Sequence, residues 1–107
     1  MHASSYSAYT TGSWQPFPGQ EEAFVAAWTE FASWAGGLPG AGAPAIMTRD
    51  LRAEGRYVSF VGWDDMDAVR GWKGHPEFKE RMGRVQQFVD KFAPTKLEVV
   101  ARVEREA

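Results

Sequence analysis

The pattern of apolar and polar positions predicts a strand and then an amphipathic helix at the start of the chain. Residues 5–15 are rich in Ser, Thr, Tyr and Trp, residue types that favour strands. Further along, apolar residues recur with the period of one helix face, which predicts a helix over residues 20–35 that ends at Gly36 and Gly37. The strand places Tyr6, Ala8, Thr10, Gly12 and Trp14 on one face, and the helix stripe is Phe24, Trp28, Phe31 and Ala35.

Two more strands are predicted in the middle of the chain, over residues 45–51 and 56–63. Glu54 and Gly55 separate them and form a turn pair that lets them close into a hairpin. The side chains of the second segment alternate between two faces of the strand, so one face suits a core and the other a second surface. Tyr57, Ser59, Val61 and Trp63 lie on one face, and Val58, Phe60 and Gly62 lie on the other.

Two helical segments and a last strand follow. Asp64 or Asp65 is a suitable N-cap for a short helix, and Pro76 is well placed to begin a second one. The second helix is predicted to run to Pro94, where proline stops it, and residues 97–104 then alternate as a final strand. The apolar stripe of the second helix is Phe78, Met82, Val85, Val89 and Phe92.

The predicted order β-α-β-β-α-β is that of an α+β, ferredoxin-like fold, a four-stranded antiparallel sheet with helices on one face. The length of 107 residues fits one domain over residues 1–107, of which residues 1–4 are expected to be disordered. The helices leave the other sheet face uncovered, and a second copy of the chain would cover it in a two-fold homodimer. A solvated face is the alternative, since the last predicted strand has one mostly polar face.

Composition narrows the classes of function. The net charge of −2 comes from interspersed acidic and basic residues, so no nucleic-acid-binding surface is expected. The chain contains no Cys, which excludes disulfides, thiolate chemistry and Cys-ligated zinc. No apolar run suits a membrane helix, and residues 1–9 lack the apolar stretch of a signal peptide, so we expect a cytoplasmic protein. The aromatic fraction of 14% indicates a filled core or an aromatic pocket.

Four segments together resemble the antibiotic biosynthesis monooxygenase family. With the final strand, they span residues 14–103. The resemblance implies a dimeric α+β barrel with a pocket between sheet and helices in each protomer. Some members oxygenate aromatic polyketides with O₂ and without metal or flavin, others degrade haem, and others have no known activity. The segments are Trp14 with Phe17-Pro18-Gly19-Gln20-Glu21-Glu22-Ala23-Phe24; Thr48-Arg49-Asp50; Tyr57-Val58-Ser59-Phe60 with Trp63; and Ala68-Val69-Arg70-Gly71-Trp72 with His75-Pro76-Glu77-Phe78.

The sequence departs from the haem-degrading members of that family. Those members use an Asn on the first strand, a Trp on the second helical segment and a His further along. Trp72 matches the Trp, but Met82 stands at the His position, and the chain has no Asn, with Gly12 near that position. Some polyketide-oxygenating relatives also rely on an Asn. The resemblance therefore carries more weight for the fold than for the activity.

The resemblance implies a cofactor-independent monooxygenase of the antibiotic-biosynthesis type, which oxidises an aromatic or polyketide-like small molecule without a bound cofactor or metal. Such an enzyme must deprotonate a phenol or enol, because the anion gives an electron to O₂ readily. We assign His75 as the catalytic base, since histidine titrates near neutral pH. Trp63 and Trp72 form an aromatic slot, and Trp72 also has a catalytic role. The structural alternatives are core packing for both tryptophans and a helix-start residue for His75.

Three more residues complete the predicted substrate site. Arg49 is expected to hold a phenolate or carboxylate, Tyr57 to donate a hydrogen bond to a substrate oxygen, and Phe78 to contact the substrate. A surface ion pair with Asp50 or a strand neighbour is the alternative for Arg49. Sheet packing is the alternative for Tyr57.

Two other motifs are interpreted as structural features rather than as binding sites. Asp64, Asp65 and Asp67 suit helix capping better than metal binding. Residues 36–44 form a Gly-rich lid or connection without the pattern of a phosphate-binding loop.

Two other functions are alternatives to a monooxygenase. They are a non-catalytic dimeric ligand-binding or accessory protein, which the missing Asn favours, and a haem-binding protein that uses His75. A cavity of roughly 300 Å³ or more would favour ligand binding over a filled core.

Overall fold

The computed structural model describes residues 6–42 and 44–104, and the expectation for residues 1–4 lies outside these ranges. The elements follow the order β-α-β-β-α-α-β. None of the described helices is both long and apolar enough to cross a membrane. The strands are β1 (Ala8–Pro16), β2 (Ile46–Arg49), β3 (Tyr57–Trp63) and β4 (Val89–Glu98), and the helices are α1 (Glu21–Ala35), α2 (Met66–Lys73) and α3 (Phe78–Gln86).

The four strands form one antiparallel sheet in the order β2-β3-β1-β4, which confirms the predicted ferredoxin-like fold. β1 is an inner strand and pairs with both β3 and β4. In this register Thr10 stands opposite Val61 on one side and Lys96 on the other. Residues from three strands are therefore neighbours on the same side of the sheet.

The helix-facing side of the sheet carries the core. Trp14, Tyr57 and Trp63 are buried there, as the alternation of both strands predicts. α1 packs against this side with its predicted apolar stripe, all four members of which are buried. The Phe24 ring of that stripe lies 5.4 Å from the Trp14 ring and 5.6 Å from the Tyr57 ring between centroids. Burial of such large aromatic side chains is the main source of stability in a small domain.

The segment that leads into the last strand differs from its prediction. α3 ends at Gln86 rather than at Pro94, and β4 begins at Val89, inside the predicted helix. Residues 99–104, predicted to be strand, follow β4 and form no regular element. The predicted positions of this helix end and of the final strand are therefore wrong.

Pairing with β1 explains why β4 begins so early. Phe92 stands opposite Trp14, and their rings stack with centroids 4.0 Å apart. A strand at this place packs the Phe92 ring and supplies hydrogen-bond partners along β1, which a continued helix would leave unpaired. Pro94 is tolerated because β4 is an edge strand, where one row of N–H groups needs no partner in the sheet.

No described element covers the other face of the sheet. Ile46 stands opposite Phe60 across β2 and β3, and these residues are 51% and 40% exposed. Leu97 on β4 adds a third apolar residue on this face, with an exposure of 45%. We call Ile46, Phe60 and Leu97 the open-face patch. Exposed apolar residues grouped on one face are typical of a surface that meets another protein.

Candidate functional site

A cavity of about 530 Å³ lies between the helix-facing side of the sheet and the helices. Its volume exceeds the roughly 300 Å³ at which small-molecule sites begin. The lining is mostly apolar, and four of the five tryptophans of the chain contribute to it. Its aromatic members are Trp14, Trp28, Phe31, Trp63, Trp72, Phe78 and Phe92.

Aromatic contacts shape one wall of this cavity. The rings of Trp63 and Trp72 lie 4.9 Å apart between centroids, and Phe78 meets Trp72 edge-on at 5.0 Å. Phe31 of α1 completes the cluster, 5.8 Å from the Trp72 ring. A planar ring between two others needs about 7 Å from centroid to centroid. A ligand therefore does not fit between Trp63 and Trp72, and since Trp63 is fully buried, Trp72 is the one of the two that a ligand would touch first.

Two hydroxyl groups on the lining accept hydrogen bonds from indole N–H groups. Trp63 Nε1 donates to Thr10 Oγ1 at 3.0 Å, and Trp14 Nε1 donates to Ser59 Oγ at 3.0 Å. Thr10 and Ser59 are both buried. In both described bonds the hydroxyl is the acceptor, and neither hydroxyl donates to another described group, so each can still donate its own proton to a ligand.

Gly12 makes the bond between Trp14 and Ser59 possible. A Cβ at this position would lie 2.6 Å from Trp14 Nε1 and 3.0 Å from the Phe92 ring. The missing side chain therefore leaves room for the Trp14 indole beside β1. Gly12 also lies on the cavity lining, so its small size shapes the cavity as well as the packing.

The indole N–H of Trp72 differs from the other two. Trp72 Nε1 is buried and has no hydrogen-bond partner, and it is the one such side-chain atom among the residues that the structure describes. An unpartnered buried donor costs about 1–3 kcal/mol. Trp72 lines the cavity, so a ligand with an acceptor oxygen would remove that cost once the side chains that cover Nε1 move aside.

His75 lies outside this cavity. It lines a second cavity of about 440 Å³, to which Trp72 also contributes. Its Nδ1 accepts a hydrogen bond from the backbone N–H of Glu77 at 3.0 Å, and its ring meets Trp34 edge-on at 5.1 Å. These contacts fit the alternative of a residue that precedes a helix. The assignment of His75 as a catalytic base stays a prediction.

The aspartates of residues 64–67 also border the second cavity. Asp65 caps α2, because its Oδ1 accepts a hydrogen bond from the backbone N–H of Ala68 at 2.9 Å. Asp67 forms an ion pair with Arg70 on the same helix. Two of the three carboxylates thus have structural partners, and Asp65 confirms the predicted helix cap.

Arg49 and Tyr57 are absent from the described linings of both cavities. The Arg49 guanidinium lies over the Tyr57 ring, 6.0 Å from its centroid. Asp50 pairs with Arg56 at 2.8 Å. The pKa of Asp50 is held below its usual value, first by a hydrogen bond from the backbone N–H of Arg52 and then by Arg56. The substrate roles of Arg49 and Tyr57 stay predictions, and the structure shows no contact that brings them to the cavity.

A Gly-rich segment, residues 36–42, lies between the two cavities, and we call it the cavity loop. Gly36, Ala41 and Gly42 line the first cavity, and residues 38–40 line the second. The carbonyl oxygen of Gly40 accepts a hydrogen bond from the backbone N–H of Asp64 at 2.9 Å, and the next residue forms a β-bridge with β3. Gly40 has a φ of +80°, and a Cβ there would lie 2.4 Å from the Cβ of Ala68. The loop is therefore packed closely against α2 and β3.

Sequence reasoning finds part of this site and misses part of it. Trp63, Trp72 and Phe78 come together on the lining. Thr10 and Ser59 are missed, although a hydroxyl on a strand face otherwise filled by aromatic residues is a signal that could have found them. Their indole partners follow only from the register of the sheet.

Comparisons with known proteins agree with this fold. The family model described as antibiotic biosynthesis monooxygenase matches residues 9–84, while no curated protein matches significantly. A variant of SnoaB, a cofactor-independent oxygenase from Streptomyces nogalater, is similar in structure, with a TM-score of 0.81 and 15% identity over 94% of this chain and 100% of that one.

Two further solved structures extend the likeness. A candidate antibiotic biosynthesis monooxygenase from Deinococcus radiodurans has a TM-score of 0.78 at 13% identity, over 94% of this chain and 99% of that one. A conserved protein from Methanosarcina mazei has a TM-score of 0.75 at 13% identity, over 87% and 92%. At such identities the likeness shows a shared fold.

Proposed function

The chain belongs to the antibiotic biosynthesis monooxygenase family, and from this premise we propose that it is a cofactor-independent monooxygenase of an aromatic or polyketide-like small molecule. The observation that carries the proposal is the cavity of about 530 Å³, whose lining combines four tryptophans with a few polar groups. Aromatic walls suit a planar ligand, and fixed donors suit an oxygen that becomes negatively charged. The fold shared with SnoaB, a cofactor-independent oxygenase, supports the same class of reaction.

The proposed reaction uses the substrate itself as the reductant. Loss of a proton from an enol or phenol gives an electron-rich anion, which passes one electron to O₂. The resulting radical and superoxide combine and take up a proton, which forms a C–O bond and a hydroperoxide. Loss of water then leaves a carbonyl group. One atom of O₂ therefore enters the product, and the other leaves as water.

Trp72, Thr10 and Ser59 are proposed to stabilise the substrate anion. Preorganised donors in a site with little water lower the energy of developing negative charge. The described lining contains no imidazole and no carboxylate. A substrate whose pKa these donors lower would lose its proton to water. Proton removal by His75 is the alternative route.

Replacing Trp72 by Phe is expected to lower kcat/KM about tenfold or more, because Phe keeps a ring on the lining but loses the N–H donor. The measurement is aerobic incubation with anthrone and naphthol-type substrates, following quinone absorbance and O₂ uptake. Trp34→Phe is the matched control, since it removes an indole N–H outside the described lining. Its rate should stay within about twofold of the unsubstituted protein.

His75→Ala distinguishes the two routes of proton loss. Loss to water predicts a rate within about threefold of the unsubstituted protein, whereas a role as the base predicts a fall of about a hundredfold or more. Absence of turnover across the panel, with no quenching of Trp fluorescence by any compound, would contradict the proposed function.

A non-catalytic ligand-binding or accessory protein is the second candidate function. The observation that favours it is a described lining without an imidazole or a carboxylate. Binding of the same compounds, seen as quenching of Trp fluorescence, without O₂ uptake would assign this function instead.

We also propose that two copies of the chain form a homodimer through the open-face patch. A second copy supplies an identical apolar surface in two-fold symmetry, which covers the face that the helices leave bare. Phe60→Glu is expected to raise the dimer dissociation constant at least about tenfold, because it buries a carboxylate in the interface. Sedimentation equilibrium over a concentration series measures this constant.

Leu51→Glu is the control for the dimer prediction. Leu51 is 92% exposed and lies outside the strands, so the same change there should leave assembly unaltered. A protein that is monomeric at every concentration, or a Phe60→Glu variant that dimerises normally, would remove the proposed interface.

A further inference from the structure

We infer that the ligand of the cavity carries a carboxylate, and that Lys73 and Lys96 select for it. This inference rests on the proposed function, because it presupposes an aromatic molecule in the cavity, and it adds the charge of that molecule. It follows from the distribution of charge around the two cavities.

The charged side chains on the described lining of the cavity are both cations. Lys73 is the last residue of α2, and Lys96 lies on the edge strand β4. Neither forms a salt bridge with another described residue, although the chain has more acidic than basic residues. Two cations without an anionic partner attract an anionic ligand to the cavity.

The sheet register places Lys96 beside one of the donors of the site. Lys96 stands directly opposite Thr10, whose hydroxyl accepts the Trp63 indole N–H and can donate its own proton. Lys73 follows Trp72, whose indole N–H has no partner and whose ring contacts that of Trp63. The two cations, which are exposed residues at its edge, and these donors therefore line the same cavity, a combination that suits the acceptor oxygens of a carboxylate.

The second cavity has the opposite character. Asp64, Asp65 and Asp67 border it, and its described lining contains no lysine or arginine. An anionic aromatic molecule is repelled there and attracted to the cavity lined by Trp63. A carboxylate would thus direct a ligand to one of two neighbouring cavities that share Trp72.

Three anthracene probes of nearly the same shape test this inference. They carry a carboxylate, a carboxamide and an aminomethyl group, and hence a negative, zero and positive charge at neutral pH. Dissociation constants are measured on the full chain by quenching of Trp fluorescence, at low and at high salt. The carboxylate is expected to bind about tenfold more tightly than the carboxamide at low salt, as two partly exposed ion pairs supply. Salt should narrow this difference, and the aminomethyl probe should bind most weakly.

Substitution of the two lysines tests whether they cause the preference for the carboxylate probe. Lys73→Gln and Lys96→Gln are each expected to reduce the advantage of the carboxylate about threefold, and the double variant to abolish it, while carboxamide binding is unchanged. Lys91→Gln is the matched control, because Lys91 lies on β4 but outside the described lining. It should retain the full preference.

The outcomes separate this inference from the proposed function. Equal affinities for the carboxylate and the carboxamide, or a preference that the double lysine variant keeps, overturn the inference and leave an aromatic ligand in the cavity. Failure of all three probes to bind overturns the ligand site itself.

Discussion

Replacing Trp63 by Ala is expected to lower the free energy of unfolding by about 3–5 kcal/mol. Trp63 is fully buried, and its truncation removes both the indole that binds Thr10 and the ring that packs on Trp72. A loss of this size is a large part of the roughly 5–15 kcal/mol by which a domain is stable. Urea denaturation followed by far-UV circular dichroism measures it, since the substitution itself removes a fluorophore.

Trp34→Ala is the comparison for this prediction. Trp34 lies on α1 and is only partly buried, so the same truncation should cost about 1–2 kcal/mol. A loss below about 1 kcal/mol for Trp63→Ala would contradict the packing described above.

Trp63 also shows why the two interpretations of a buried tryptophan do not exclude each other. Sequence reasoning offers a wall of a substrate site and a core residue as alternatives, and the structure has Trp63 in both positions. Its fully buried ring packs in the core, and the same ring lies in the wall of the cavity. The conservative Trp63→Phe therefore tests ligand contact better than Trp63→Ala, because it retains most of the packing.

Local patterns predict most of this fold because each strand has one buried face. The alternation in β1 and β3 identifies the residues that face α1, and the stripe of α1 identifies the side that meets them. Burial on one side and exposure on the other is the physical origin of both periods. The order of the elements then leaves few topologies, and the ferredoxin-like arrangement is one of them.

The end of the chain is mispredicted because its apolar residues have the spacing of a helix, although pairing with β1 makes the segment a strand. Val85, Val89 and Phe92 have the spacing of a helix face, yet Val89 and Phe92 belong to β4. The hydrogen-bonding groups along β1 decide between these structures, and they are distant in sequence. A local pattern contains no information about that distant partner.

The candidate site is predictable to the extent that it coincides with the core. Aromatic residues on buried faces are found, because burial and cavity lining select the same residue types. Contacts between side chains on different elements are not found, and the bond from Trp63 to Thr10 is of this kind. His75 has suitable chemistry in the sequence, but the turn before α3 places it at the second cavity.

Replacing Gly40 by Ala is expected to destabilise the protein by about 2–4 kcal/mol and to weaken binding of an aromatic probe at least about tenfold. Gly40 has a φ of +80°, which strains any residue with a Cβ, and the new Cβ would lie 2.4 Å from the Cβ of Ala68. The cavity loop must then move away from α2, and the hydrogen bond from Asp64 to the Gly40 carbonyl is lost or lengthened. Since this loop borders the cavity, its displacement exposes the site to water. Denaturation and fluorescence titration measure the two effects.

Gly55→Ala isolates the contribution of packing in this result. Gly55 has a φ of +83°, nearly the same as Gly40, but a Cβ there would meet no atom within 4 Å. The control therefore carries only the backbone strain of about 1–2 kcal/mol and lies away from the cavity. If both variants lose the same stability and both bind the probe normally, the cavity loop does not depend on its contact with α2. If only Gly40→Ala loses binding, close packing of this loop is what encloses the site.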